Sequence, residues 1–214
     1  MGEPRARVDA HRLAVRVFVL ARHGHSELNA VRRVNGDPSV PVRLTDEGRR
    51  RAAELGQQVA ALPLDLCVHT RFGRTRETAE IALPGRAVPL REEPLLDDVA
   101  IGDLEGKTID EYHAWKRQHT RADPFPGGES LVDTARRYAR GFAALVALDA
   151  EAVLVVCHEI PIRYALNAAA GSDELDGPVH EIPNATPYVF GGDALERAAE
   201  RIAVLADATS DRPA

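Results

Sequence analysis

Two stretches of the chain are apolar without a break, Val17–Ala21 and Ala152–Cys157, and neither shows the polar alternation of a half-exposed strand. Such runs suit strands of a parallel sheet covered by helices on both faces. Leu64–His69 is a shorter third candidate. Thr186–Phe190 and Arg201–Ala206 read as later strands, the last antiparallel at an edge. Between these runs the period becomes helical. Thr45-Asp46-Glu47-Gly48 offers an N-cap and an acidic first turn for a helix reaching about Leu62, stopped by Pro63. Arg74–Leu83, Ile109–His119, Ser130–Leu148 and Pro161–Ala170 are further helices. In the longest, Leu131, Ala135, Tyr138, Phe142 and Leu145 fall along one face. Strand and helix alternate, with no internal repeat. The pattern predicts an α/β protein, a three-layer α/β/α sandwich on a mostly parallel sheet with one antiparallel edge strand.

Bulk properties narrow the classes of function. A chain of 214 residues suits a single domain, with residues 1–16 as an N-terminal extension and 207–214 as a disordered tail. A net charge of −6 argues against nucleic acid as partner, whose footprint is a basic surface. It leaves room for a basic pocket around a small anion. Cys67 and Cys157 each sit in an apolar stretch and are expected as buried free thiols rather than a disulfide or zinc site. No apolar run reaches the ~20 residues of a membrane span, and residues 1–16 do not read as a signal peptide. The expected compartment is the cytoplasm. A homodimer is compatible with the chain, though no residue points to one.

Chemistry concentrates where the first strand ends. Arg22-His23-Gly24 follows Val17–Ala21, so a cation, an imidazole and a glycine arrive at the carboxyl edge of the sheet, where open α/β sheets bind ligands. Gly24 permits close approach of a ligand, and a helix opening after it would offer free N–H groups to an anion. His158 follows Cys157 in the same way. Parallel strands lie about 4.8 Å apart, so both imidazoles can face one ligand; taken alone, His158 reads as a hydrogen-bonded surface histidine, and the matching placement is what favours the functional reading. Arg71, Arg74 and Arg76 crowd the start of a helix, where cations oppose the macrodipole unless an anion lies there. That points to Arg74 or Arg71 as an anion ligand, against the alternative of a solvated helix face.

Taken together, these pieces resemble the histidine phosphatase superfamily, which includes the cofactor-dependent phosphoglycerate mutases. Arg22-His23-Gly24-His25-Ser26-Glu27-Leu28-Asn29 is similar to the opening motif, with His25 where Glu or Thr is common. Thr70–Glu80 matches the second motif and makes Arg74 its phosphate-binding arginine. Leu95–Gly106 resembles the segment carrying the acid/base carboxylate, closing on Glu105-Gly106. Pro126-Gly127-Gly128-Glu129-Ser130, Cys157-His158 and Asn184-Ala185-Thr186 match later motifs in order.

The resemblance implies a metal-independent hydrolase of small phosphomonoesters, with no cofactor. His23 would be the nucleophile that forms a phosphohistidine, and Arg22, Asn29, Arg74 and His158 would bind the phosphoryl group. Asp98 would protonate the leaving oxygen, although the family usually has Glu there. Glu159, unusual directly after the second histidine, is the rival acid. A second departure is a slightly longer loop, Gly36–Thr45, where Ser39 or Arg43 could meet the leaving group. His113, Trp115, Lys116, His119 and Arg121 suggest a basic and aromatic wall for an anionic substrate. The alternatives are a phosphoglycerate mutase, which returns the phosphoryl group to a sugar acid, and a non-catalytic protein that binds a phosphorylated ligand.

Overall fold

The structure is a computed structural model and describes residues 16–214. The expected extension at 1–16 lies, apart from Arg16, outside the described residues. Strand β1 (Val17–Arg22) leads through a one-turn helix α1 (Glu27–Ala30) to α2 (Asp46–Gln58). Then come β2 (Leu66–His69), α3 (Gly73–Ala82), β3 (Leu90–Glu92), α4 (Ile109–Lys116) and α5 (Leu131–Val146). The chain closes with β4 (Ala152–Cys157), α6 (Glu159–Ala169), β5 (Pro187–Gly191) and α7 (Gly192–Ala208).

The five strands form one sheet in the order β3-β2-β4-β1-β5, parallel except for β5, which runs antiparallel to β1 at an edge. This is the α/β architecture that the apolar runs imply, but the antiparallel strand is Pro187–Gly191. Arg201–Ala206, expected there, lies in the second half of α7. Leu195, Ala198, Ala199, Ile202, Leu205 and Ala206 are its buried residues, a helical stripe that a six-residue window cuts short.

Both sheet faces are covered, and the period of two decides which residue goes where. Phe18, Leu20, Val153, Val155 and Cys157 turn to one core with Tyr138, Phe142 and Leu145 of α5 and the buried stripe of α7. Val19, Ala21, Cys67, Leu154 and Val156 turn to the other, against Leu55 of α2 and Ala79 and Ala82 of α3. Each large side chain so buried contributes about 1.5–3 kcal/mol. Cys67 and Cys157 are free buried thiols on opposite faces, and burial pushes both up to about 12.

Helix ends agree with the capping chemistry. Thr45 caps α2 through Gly48 N–H, Ser130 caps α5 through Asp133 N–H, and α6 begins directly after His158. A third, smaller cluster of Val99, Ile101, Phe125 and Leu131 packs with Tyr112 and Trp115 of α4. It seats the segment that carries Asp98.

The segment 207–214 is not a loose tail. Thr209 is buried, Arg212 C=O accepts from Arg121 N–H (2.9 Å), and Ala214 N–H donates to His119 C=O (3.0 Å). No helix among the described residues is long and apolar enough to cross a membrane.

Candidate active site

The register pairs Arg22 with Cys157, so β1 and β4 release His23 and His158 at the same level of the carboxyl edge. His23 N–H donates to Cys157 C=O (3.0 Å), and the two imidazoles meet edge-on with centroids 5.5 Å apart. A loop from before β5 clamps this strand end. Asn184 Nδ2 donates to His23 C=O (2.8 Å), and Ala185 N–H donates to Arg22 C=O (2.8 Å).

The hydrogen bonds assign the His23 tautomer. His23 Nδ1 lies 2.7 Å from the carbonyl of Gly24, which can only accept, so Nδ1 carries the proton and Nε2 the lone pair. Arg74 Nε donates to that lone pair at 3.1 Å. His158 Nε2 is 2.9 Å from Thr70 Oγ1, while its Nδ1 meets Arg74 Nη2 and Asp98 Oδ2, each at 3.3 Å. Both rings are buried, and burial, then the Arg74 guanidinium, holds both well below the ordinary histidine range. Neutral imidazoles are therefore the resting state at neutral pH.

Arg74 is the hub. Its buried guanidinium sits 4.2 Å over the Phe72 ring and binds Asp98 Oδ2 (3.1 Å), Asn35 C=O (3.3 Å) and the Asn35 side-chain oxygen. Asp98 thus supplies the anion that the cationic start of α3 calls for. Arg71 instead pairs with Asp97 (2.5 Å) and does not line the cleft. Burial raises the Asp98 carboxyl above its usual range, against the lowering pull of Arg74.

Arg22 lines the same cleft as His23. Its Nη1 binds Glu159 Oε2 (2.8 Å) and Ile182 C=O (2.9 Å), and its buried Nε has no partner among the described residues. Glu159 also meets Arg163 Nη1 at 3.5 Å, so the rival acid is engaged by two guanidinium groups. Asn29 lines the cleft, and its Oδ1 accepts Ser26 N–H (3.1 Å), leaving the amide NH₂ as a donor.

These side chains enclose one end of an open cleft of about 200 Å³ lined by Arg22, His23, Asn29, Arg74, Asp98 and Glu159. His158 lies just beneath it, fully buried behind Arg74 and Asp98. The far end adds Tyr112, His113, Lys116 and Arg163.

Several expectations are revised. The space left by Gly24 admits protein backbone rather than ligand: a Cβ there would meet Gly48 C=O at 2.5 Å, and one on Gly48 would meet His25 C=O at 2.1 Å. Helix α1 has four residues and offers no anion site; Ser26 Oγ already caps Asn29 N–H, and Arg43 C=O takes Glu27 N–H. Ser39 and Arg43 do not reach the cleft. Of the suggested wall, His113 and Lys116 line it, whereas Trp115 stacks on His119 and Arg121 binds Asp176 and Tyr164. Glu129 works from behind, accepting Ala100 N–H (3.0 Å) and pairing with Arg137.

Three positioning residues were invisible to spacing. Asn35 brackets Arg74, and Glu105 fixes Asn35 by accepting its Nδ2 (2.7 Å) together with Gly36 N–H (2.7 Å). Arg137 of α5 donates to the carbonyls of Leu95 (3.0 Å), Asp97 (2.9 Å) and Asp98 (3.2 Å), which fixes the backbone under the Asp98 carboxyl.

A family model, "Histidine phosphatase superfamily (branch 1)", matches residues 18–204 of the chain. The chain belongs to this superfamily. Among named relatives, "Probable phosphoglycerate mutase GpmB" of Klebsiella pneumoniae is 31% identical over 160 residues, 71% of this chain and 74% of that protein. The protein of the same name from Cronobacter sakazakii is 34% identical over 125 residues, 55% of this chain and 57% of its own length. Among solved structures, Bacillus stearothermophilus YhfR superposes with a TM-score of 0.70 at 30% identity, covering 81% of this chain and 89% of that one. The alpha-ribazole phosphatase of Shigella flexneri superposes at 0.71, with 22% identity over 81% and 89% of the two chains, and shares the fold. A mycobacterial glucosyl-3-phosphoglycerate phosphatase does so at 0.69, with 24% identity over 81% and 92%. Relatives named mutase and structural neighbours named phosphatase thus stand side by side.

Proposed function

We propose that the chain is a metal-independent phosphomonoester hydrolase that works through a phosphohistidine on His23. The observation that carries this is the state of His23: a buried neutral ring, its Nδ1–H fixed on Gly24 C=O and its Nε2 lone pair at the floor of a cleft between Arg22 and Arg74. A neutral imidazole is a competent nucleophile toward phosphorus. Arg74 Nε would give up its bond to Nε2 and move to a phosphoryl oxygen as the ester arrives. Arg22 and Asn29 would supply the remaining donors where charge builds up, with His158 supporting Arg74 and Asp98 from behind. Guanidinium suits that task because its planar fork matches phosphate.

Nε2 then forms the N–P bond as the ester P–O bond breaks. The leaving oxygen takes a proton from the Asp98 carboxylic acid. The resulting carboxylate removes a proton from water, whose oxygen attacks the phosphohistidine and releases phosphate and neutral-ring His23. The raised Asp98 carboxyl suits an acid that must then act as base. Its place beside Arg74 and His158 favours it over Glu159, which serves to hold Arg22. The cleft opens to solvent, which supports transfer to water rather than to a sequestered acceptor.

The test is hydrolysis of an aryl phosphate with chelator present. Phosphate release that persists with chelator and disappears in His23→Ala is expected. The names of the GpmB relatives support the mutase as second reading. Isomerisation of 3-phosphoglycerate with a bisphosphate primer, without release of phosphate, would establish it instead. Tight binding of a phosphate ester with neither activity would mark a non-catalytic receptor.

A further inference from the structure

Beyond the phosphoryl end, the cleft is walled by one face of α4. Ile109, Tyr112, His113 and Lys116 all line it, at i, i+3, i+4 and i+7. The wall is anchored: Ile109 N–H donates to Arg32 C=O (2.9 Å) and Val34 N–H to Lys107 C=O (3.0 Å). Val99, Ile101 and Ile160 give the cleft an apolar floor. The far end therefore combines carbon surface with charge.

That charge is unbalanced. Arg22, Arg33, Arg74, Lys116 and Arg163 line the cleft against only two carboxylates, Asp98 and Glu159, in a chain of net charge −6. Arg74 is paired with Asp98, Arg22 with Glu159, and Arg163 with Asp176 (2.6 Å). A phosphate monoester brings roughly two negative charges, which the Arg22 and Arg74 end absorbs. Lys116 remains. Its ammonium lies 5.7 Å from the Tyr112 ring and has no carboxylate within 4.0 Å among the described residues. It is half-buried, and desolvation weighs against its charge, a cost that an incoming anion relieves.

We propose that the substrate is a phosphate monoester whose apolar carbon body carries a carboxylate bound by Lys116. The inference rests on the hydrolase reading of the cleft. It makes α4 the element that selects the leaving group, while the phosphoryl end does the same chemistry for any ester.

The experiment compares phenyl phosphate with 3- and 4-carboxyphenyl phosphate in the wild-type chain, Lys116→Met and Lys116→Arg. The better carboxylated ester is expected to exceed phenyl phosphate about tenfold in kcat/KM, which one charge-assisted hydrogen bond supplies. Lys116→Met should bring that ratio close to one, mainly through KM, and Lys116→Arg should restore it. A wild-type ratio near one for both carboxylated esters overturns the proposal, as does a ratio that survives Lys116→Met. Calorimetric binding of benzylphosphonate and its 4-carboxy derivative reads the same preference without turnover. A Lys116-dependent preference among the phosphonates with no ester hydrolysed would sink the hydrolase reading and keep the subsite. Hydrolysis of all esters without preference does the reverse.

Discussion

Replacing His23 and His158 together by Gln removes two imidazoles that the fold keeps neutral, and the consequence is readable as a pH dependence of stability. In the unfolded chain each ring takes up a proton near pH 6.5, whereas in the native protein each does so only well below that value. Between those limits the unfolded state binds more protons, so stability falls as the solution is acidified. From about pH 7.5 to about pH 5.5, one such histidine lowers the free energy of unfolding by about 1.4 kcal/mol, and two lower it by about 2.7 kcal/mol. Asp98 acts with the opposite sign. Its raised carboxyl makes the native state the stronger proton binder, and stability is lost as pH rises from 3.8 toward the raised value. It is common to all the proteins compared, so it drops out of the difference. Urea unfolding followed by circular dichroism across this range should show the double variant losing about 2.7 kcal/mol less than the wild-type chain, and each single variant about 1.4 kcal/mol less. Gln can still donate to Thr70 or Gly24, which limits other losses. A double variant whose stability falls as steeply as that of the wild-type chain would refute the neutral, buried imidazole pair.

Asp98→Asn should lower kcat/KM for an alkyl phosphate by about 10²–10⁴-fold and have far less effect on kcat/KM for p-nitrophenyl phosphate, whose leaving oxygen needs no proton; equal losses of kcat/KM on both esters would count against Asp98 as the acid. Arg137→Met should lower kcat by about 100-fold without large change in KM, because the backbone under Asp98 loses its three anchors. Steady-state kinetics on the alkyl ester measures this, and unchanged kcat would remove Arg137 from the positioning set. Gly48→Ala should cost about 1–3 kcal/mol in urea unfolding, since the new Cβ would meet His25 C=O at 2.1 Å, with activity falling as the His23 loop shifts.

What the sequence made legible was local. Val17–Ala21 and Ala152–Cys157 are unbroken apolar runs, and each hands a histidine to the same sheet edge because both strands are parallel. The placement of His23, His158, Arg22 and Arg74 follows from strand ends and one helix start. Asn35, Glu105 and Arg137 do not follow, because their roles exist only across 39, 70 and 42 residues of chain. The types and local spacing of Asn35 and Arg137 match any solvated loop or helix, and Glu105 closes a matched motif whose partner, Asn35, only the fold supplies. Gly24 was misassigned for a related reason: a glycine signals close approach, but only tertiary structure shows that Gly48 is what approaches. Arg201–Ala206 was misread because six residues admit both periods, while the seventeen of α7 admit one. Asp98, the acid favoured in sequence, and Glu159, its rival, have different partners. Asp98 shares Arg74 with the imidazoles, and Glu159 is spent on Arg22 and Arg163.

The most direct test of the mechanism is to look for phosphate on His23. The chain would be mixed with a ³²P-labelled aryl phosphate, quenched in alkali within a turnover, digested and mapped by mass spectrometry. An acid-labile, alkali-stable label on the peptide containing His23, absent from His23→Gln and accumulating in Asp98→Asn, is the predicted result. Turnover with no label on His23, or with the label on His158 or on a carboxylate, would contradict the assignment of His23 as the nucleophile.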